Sequence, residues 1–404
     1  MNASNQSFAT QGAASEQADI IIVGGGMVGC TTALLLAEQG KRVIVLERFE
    51  PKSIDADSPM GLRVSALNLA SEQLLAEVGC WSDIAAVRVC PYRRLAVWED
   101  QLEPVEFRAS DIEQSHLGHI VENDVVQMVL WQRCLQHELI DCRLIQAIES
   151  LSQTDDRATL TVDGQLYQAQ LVLACDGGLS RLRQLAGIGV EGWQYQQHAL
   201  VVGIDTHVES QDITWQQMAA TGPKAFLPLA QGKGSLVWYH HADEVARLKQ
   251  LPAAQLKSEL LQAFPAAVGD FTIEQVASFP LTRQHAQVYA KGRVVLLGDS
   301  AHLINPLAGQ GVNLGFRDVR AFADVIAERP DWASDAVLQS YERRRKADNL
   351  AMMSAMDAIY ATFSNDLPPL KLARQLGLSL VNKLPAARTL ATKYACGVTG
   401  SRSI

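Results

Sequence analysis

Residues 20–47 read IIIVGGGMVGCTTALLLAEQGKRVIVLE, and this stretch decides the fold. Ile20–Val23 is an unbroken apolar, β-branched run, the pattern of a strand buried on both faces. Met27–Gln39 follows with a helical pattern, and Gly40 ends it, since glycine accepts the left-handed conformation that closes a helix. Arg42–Leu46 is a second apolar strand that stops at Glu47. Between the first strand and the helix stands Gly24-Gly25-Gly26-Met27-Val28-Gly29, a G-x-G-x-x-G. Gly24 permits the tight turn, Gly26 lets a pyrophosphate approach the backbone, and Gly29 lets helix and strand pack closely. The helix start at Met27 and Val28 offers unpaired N–H groups to a phosphate. Glu47, at the end of the second strand, can accept hydrogen bonds from ribose hydroxyls and would repel a 2′-phosphate, so the unit suits NAD or FAD rather than NADP. The stretch Ile20–Ala37 carries no charge, but it holds four glycines and is bracketed by Asp19 and Glu38. A bilayer needs about 20 predominantly apolar residues, so a strand, a turn and a buried helix are expected instead of a span.

The rest of the chain bounds the class. Of 404 residues, 48% are hydrophobic and 20% charged, which excludes a disordered chain and allows a large core without staples. A formal net charge of −9 argues against nucleic acid as partner. The seven cysteines are scattered with no C-x-x-C, as expected of reduced thiols in a cytoplasmic protein. Residues 1–18 lack both the basic start and the apolar run of a signal peptide, so a disordered tail is expected there.

Downstream, Val64–Val78 and Val125–Glu138 read as helices and Leu95–Glu99 and Val105–Phe107 as short strands. Ala158–Val162 and Leu166–Gln170 form a hairpin around Asp163-Gly164. Leu171–Cys175 and Arg293–Leu297 are buried strands. From Trp193 to Thr282 short strand-like runs alternate with turn residues, interrupted by one helix, Ala253–Ala263. A helix runs through Ala327, and the remainder is helical.

Two further strand-turn-helix motifs carry chemistry. One is Cys175-Asp176-Gly177-Gly178-Leu179-Ser180-Arg181-Leu182-Arg183. The other is Gly298-Asp299-Ser300-Ala301-His302, followed by Pro306 and Gly309-Gln310-Gly311-Val312-Asn313. The second places a carboxylate at a strand's C-terminal end, where open α/β sheets bind ligands. His302 beside Asp299 is a candidate acid–base residue, although a lone histidine there is more often structural.

In this order the three motifs resemble the FAD-dependent aromatic hydroxylases of the para-hydroxybenzoate hydroxylase type, and residues 298–318 (GDSAHLINPLAGQGVNLGFRD) are similar to the signature of the ubiquinone-biosynthesis hydroxylases. Residues 91–95, 225–229 and 363–369 narrow the resemblance to the last ring hydroxylation. The resemblance implies that Gly24, Gly26, Met27, Val28, Gly29 and Glu47 bind the ADP half of FAD, with Arg48 near the adenine. It places Asp299 at the ribityl or ribose region, and Pro306, Gly309, Gln310, Gly311, Val312 and Asn313 beside the flavin ring. Asp176, Gly177 and Arg183 match the motif shared between FAD contacts and transient NAD(P)H binding. Arg63 and Asn123 stand where the family puts an Arg and a Gln or Arg, from which Asn123 departs. The implied reaction uses NAD(P)H and O2 to hydroxylate a polyprenylated benzoquinol through a flavin C4a-hydroperoxide.

The implied fold is α/β: a Rossmann-like FAD-binding domain (19–91, 119–190 and 283–345), an antiparallel-sheet substrate domain (92–118 and 191–282) and a helical C-terminal region (346–404). Trp193, Tyr195, Phe226, Trp238 and Tyr239 are candidates for one wall of the site. Other readings are a hydroxylase for another ring position, a flavin reductase, or a scaffold in an assembly of ubiquinone-biosynthesis proteins. A di-iron bundle is rejected: it needs two Glu-x-x-His helices, and only Glu113 to His116 fits. The pairs His116/His119 and His240/His241 lack partners at metal-ligand spacing, so no metal is expected. Residues 367–404 hold Lys371, Arg374, Lys383, Arg388, Lys393 and Arg402 but no Asp or Glu. An amphipathic helix there either lies on an anionic membrane surface or packs on the core, its basic face merely solvated or set against the acidic body.

Overall fold

The computed structural model describes residues 15–99, 102–208, 211–304, 309, 311–327, 329–365 and 367–398. Its centre is a six-stranded sheet in the order Ala290–Lys291, Val294–Leu296, Leu171–Ala174, Ile20–Val23, Val43–Glu47, Ile140–Leu144, parallel except for the first edge. Its inner strands are apolar up to Glu47 because both faces are buried, one under the helix Met27–Glu38 and the other against Ala158, Leu160, Val162, Tyr167 and Ala169 of a four-stranded sheet. Met27–Glu38 and Gly311–Ala327 pack on it and share its core with Phe316, Phe322 and Tyr341.

A second sheet of eight strands stands beside the first. Its long members are Thr272–Ala286, Val190–Asp205 and Lys233–His241, and its far edge is Arg94–Glu99 with Val105–Arg108. It is antiparallel except where Ile213–Met218 runs parallel to Arg94–Glu99. Thr272–Ala286 extends to Ala286 and there pairs with His302–Leu303, so one continuous strand ties this sheet to the Gly298 motif. On one face, Phe226, Leu236, Trp238 and Phe264 pack under Ala242–Gln250 and Ala253–Ala263. The opposite face is turned toward the cofactor motifs.

Three expectations are corrected. Val64–Val78 is not one helix. Val64–Asn68 is a strand paired with Gly118–Glu122, and the helix is Leu69–Glu77. Asn68 sets the break, its side chain capping the helix by accepting from Ser71 N. The tail expected over residues 1–18 is structured at its end. Glu16–Gln17 pairs in parallel with Tyr167–Gln168, and Ala18 is buried; residues 1–14 lie outside the described residues. Two helices rather than one interrupt the middle segment, the second being Ala242–Gln250, whose Val245 and Leu248 enter the core. The 158–169 hairpin forms as expected, with Asp163 and Gly164 both at positive φ.

Candidate functional site

The three motifs meet because their strands are neighbours. Val23 pairs with Ala174 on one side and Leu46 on the other, and Ala174 pairs with Leu296, so four C-terminal strand ends lie side by side. At the first, Gly24 has φ +104° and donates its N–H to Leu46 O at 2.8 Å. A Cβ on Gly29 would stand 1.9 Å from Gly24 O, and one on Gly24 would stand 2.4 Å from Cys175 O. Both glycines are required by the protein's own packing. Gly26 differs: nothing lies within 4 Å of where its Cβ would be. Cys30 N–H is the first to bond back, to Gly26 O, which leaves the N–H groups of Met27, Val28 and Gly29 without intrahelical acceptors. The helix carries no acidic residue in its own first turn. Open space, free donors and a positive dipole make a cradle that fits a pyrophosphate.

Glu47 accepts Gly25 N–H at 2.5 Å and Arg48 N–H at 2.6 Å, so it braces the glycine turn beside the position expected for a ribose. Arg48 is exposed and lies over the Phe49 ring. Asp176 Oδ2 accepts Leu182 N–H, whereas its buried Oδ1 has no partner. Burial pushes the Asp176 pKa up, opposed by hydrogen bonds from Ser180 and Leu182. An unpaired buried oxygen at the rim of a phosphate cradle fits a polar ligand. Asp299 is solvent-exposed, yet the surrounding cleft pushes its pKa up by desolvation, with His302 and Arg63 pulling the other way. Gly177 has φ +81° and turns the chain.

Other expected residues have structural tasks. Arg183 is buried, and its guanidinium donates to Ser300 O at 2.7 Å and Gly178 O at 2.8 Å, clamping the second motif to the third. Burial lowers its pKa. Asn313 donates to Ala66 O and Gly309 O, and accepts from Asn68 N and Ser71 Oγ, fixing the turn next to the Val64–Asn68 strand. Gly311 and Val312 open the helix Gly311–Ala327. Pro306 and Gln310 lie outside the described residues. His302 does not line the cavity described below. It is buried, with Nε2 2.5 Å from Asp318 Oδ2. Asp318 also accepts from Gly298 N, Arg345 Nε and Asn349 Nδ2. Although desolvation opposes it, the charges of His302 and Arg345 hold the Asp318 carboxyl far below the usual range. This network anchors the Gly298 turn. Asp318 ends the motif stretch read from the sequence, but Arg345, within a run of like residues, gave no signal.

Arg63 and Asn123 come together: Asn123 N–H donates to Arg63 O at 2.8 Å, and its Oδ1 accepts from Ser65. Both line a cavity of about 570 Å³, with Gly309 on the same side. The opposite wall is the open face of the large sheet, including Val201, Ser235, Val237 and Tyr239. Of the five aromatic wall candidates, only Tyr239 lines it. Phe226 and Trp238 face the other way into the core, Trp193 is half-exposed under Arg283, and Tyr195 bonds Asp357. Trp215, Phe279 and Tyr92 serve instead. Thr392 and Cys396 from the last helix, Pro385–Cys396, close the cavity, a contribution absent from the sequence reading.

The C-terminal helices are held by ion pairs. Arg374 is buried and donates Nε to Glu99 Oε1 at 3.0 Å, and Arg388 pairs with Asp111 at 3.0 Å. These two basic residues meet the acidic body. Away from the cavity, the His116/His119 pair has a partner after all: Glu72 Oε2 lies 2.8 and 3.1 Å from the two rings. Burial opposes it, but the hydrogen bonds of both histidines hold the Glu72 pKa down.

The FAD binding domain family matches residues 17–355. The chain belongs to that family. It is 43% identical over 389 residues to the 3-demethoxyubiquinol 3-hydroxylase of Escherichia coli (strain K12), covering 95% of this chain and 100% of the relative. It is 34% identical to the ubiquinone hydroxylase UbiL of Rhodospirillum rubrum, over 96% and 91% of the two chains. Among solved structures, the p-nitrophenol 4-monooxygenase PnpA of Pseudomonas putida matches with TM-score 0.79 at 21% identity, covering 96% of this chain and all of that one. The chain is thus a FAD-dependent monooxygenase of the hydroxylase class. The α/β architecture expected from the motifs stands, and the cradle residues above are those available to hold FAD.

Proposed function

We propose that this monooxygenase hydroxylates the ring of a polyprenylated benzoquinol in ubiquinone biosynthesis, with NAD(P)H as reductant. One quinol, O2, NAD(P)H and a proton would give the hydroxylated quinol, NAD(P)+ and water. The observation that carries this reading is the cavity of about 570 Å³, within the range of small-molecule sites, mostly apolar on the sheet side and bounded by Arg63, Asn123 and Gly309 on the cofactor side. The 43% identity to a demethoxyubiquinol hydroxylase favours the same ring position.

Bound FAD would take electrons from the nicotinamide and activate O2. The chain's own part is to hold the cofactor by the Gly24–Gly29 turn, Glu47, Asp176 and Asp299, and to present the start of the Gly311–Ala327 helix to developing negative charge. Its apolar walls exclude water from the reacting ring. A quinol is electron-rich, so the mechanism requires no nucleophilic side chain.

The prenyl tail sets a delivery problem. Leu372, Leu380 and Leu390 on the C-terminal helices, and Leu367 and Leu384 just before them, are each at least 46% exposed, with Lys383 and Lys393 also exposed. No helix among the described residues is long and apolar enough to cross a membrane. These exposed leucines and lysines suit shallow docking on a lipid surface, from which the tail would reach the cavity.

The test is oxidation of NADH under air with a short-chain demethoxy-ubiquinol. Flavin absorption bands and one 18O atom from 18O2 in the product are expected. Flavin bands with NADH oxidation but no hydroxylated product would move the function to a reductase. Vesicle flotation with Leu372→Ser, Leu380→Ser and Leu390→Ser combined tests the docking face, and unchanged flotation would refute it. Retention of other ubiquinone-biosynthesis proteins by this variant, but not their products, would favour a scaffold role.

A further inference from the structure

The cavity wall facing the cofactor motifs contains one polar atom that the protein leaves unexplained. Ser235 is 1% exposed, and its Oγ has no hydrogen-bond partner. Among the described residues that line the cavity, it is the buried side-chain polar atom left unpaired. Buried hydroxyls are normally satisfied, and an orphan calls for a ligand or a role. Another hydroxyl on this wall, Thr214 Oγ1, already donates to Phe226 O at 2.8 Å.

Register explains where Ser235 points. In Lys233–His241, Ser235, Val237 and Tyr239 alternate onto the cavity face, while Leu236 and Trp238 enter the core beneath. Ser235 pairs with Gly203 on one side and Leu227 on the other. Gly203 offers no side chain, and a Cβ there would come within 3.1 Å of Leu62 Cδ2. Residue 62, and with it Arg63, therefore comes down onto the sheet next to Ser235. The next cross-strand row, Ala225, Val237, Val201 and Ala277, is wholly apolar. Thus the unpaired Ser235 hydroxyl sits at the cofactor end of the face, one apolar row away from Tyr239 on the same strand.

We propose that Ser235 is a positioning residue whose hydroxyl hydrogen-bonds a ring oxygen of the quinol and fixes which ring carbon faces the cofactor. The proposal rests on the quinol reading above. In a mostly apolar slot the rotation of a nearly flat ring is fixed by few polar contacts, and a hydrogen bond from Ser235 supplies one such coordinate on the sheet side.

The test uses the FAD-loaded enzyme, a short-chain demethoxy-ubiquinol, and its analogue lacking one ring hydroxyl. Binding is read from quenching of tryptophan fluorescence without reductant or oxygen. Turnover is read as hydroxylated product per NADH consumed. For Ser235→Ala, quinol binding should weaken about tenfold, equivalent to about 1.4 kcal/mol, and product per NADH should fall. Binding of the deoxy analogue that lacks the bonded oxygen should change little. Ser235→Thr should restore coupling. The melting temperature of Ser235→Ala without substrate should hold or rise, because an unsatisfied buried hydroxyl is removed; a large fall would assign Ser235 a structural role and overturn the proposal. Unchanged quinol affinity and coupling in Ser235→Ala, with wild type active, would also overturn it. A wild type that neither binds nor hydroxylates the quinol would overturn the functional reading, and this proposal with it.

Discussion

Replacing Asp318 by Asn should damage both the fold and the cofactor site. All four groups bonded to its carboxylate are donors: Arg345 Nε at 2.7 Å and Asn349 Nδ2 at 3.1 Å on Oδ1, and Gly298 N at 3.0 Å and His302 Nε2 at 2.5 Å on Oδ2. An asparagine has one acceptor oxygen, so its NH2 meets Arg345 Nε and Asn349 Nδ2 in one orientation and Gly298 N–H in the other. The change also strands the buried Arg345 guanidinium, which keeps only the partly exposed Asp348 as counter-charge. Removing one partner of a buried ion pair costs about 3–5 kcal/mol. The Gly298 turn loses its anchor, so FAD affinity should fall as well. Urea unfolding at pH 7 and a FAD titration by flavin fluorescence measure the two effects. A cycle with Arg345→Met should be strongly sub-additive, since the second change removes a charge already unpaired. An unfolding free energy within about 1 kcal/mol of wild type, with unchanged FAD affinity, would refute the argument.

Three further outcomes are expected. Gly26→Ala should leave the unfolding midpoint unchanged but weaken FAD binding about tenfold or more, because its Cβ meets no protein atom and would occupy phosphate space; Gly29→Ala should fail to fold, its Cβ falling 1.9 Å from Gly24 O. Equal behaviour of the two in FAD titration and unfolding would contradict this. Burial, with the nearby charges of His302, Lys346 and Arg283, pushes the His285 pKa down to about 4. The unfolded histidine takes its proton near pH 6.5, so the unfolded state binds more protons between those values. Stability should therefore be full above about pH 6.5 and fall progressively toward about pH 4, with a shallower slope in His285→Gln, read from urea midpoints across pH. Arg374→Ala leaves Glu99 buried and unpaired, so cleavage by limited proteolysis within residues 367–398 should accelerate by an order of magnitude or more. Cleavage at the wild-type rate would show that this ion pair does not hold the C-terminal helices.

The sequence by itself determined the nucleotide-binding unit and the three cofactor motifs, because each is local. A strand, a glycine turn and a helix start are specified by neighbouring residues, and the glycines leave a visible pattern. The same locality misled at Val64–Val78, where apolar spacing suits helix and strand alike and only pairing with Gly118–Glu122 decides. Alternation places Ser235, Val237 and Tyr239 on one face, but it does not say which face meets the cofactor. The helices Ala242–Gln250 and Ala253–Ala263 decide that by covering the other side. The partners of Asp318 lie 16 to 31 residues away, beyond any local pattern, Arg183 reaches Ser300 across 117 residues, and Arg374 reaches Glu99 across 275. A charged side chain looks the same in a sequence whether it is solvated or spent on a buried partner. Only folding, which removes water from some of them and not others, separates the groups left open at the cradle from the clamps that hold it in place.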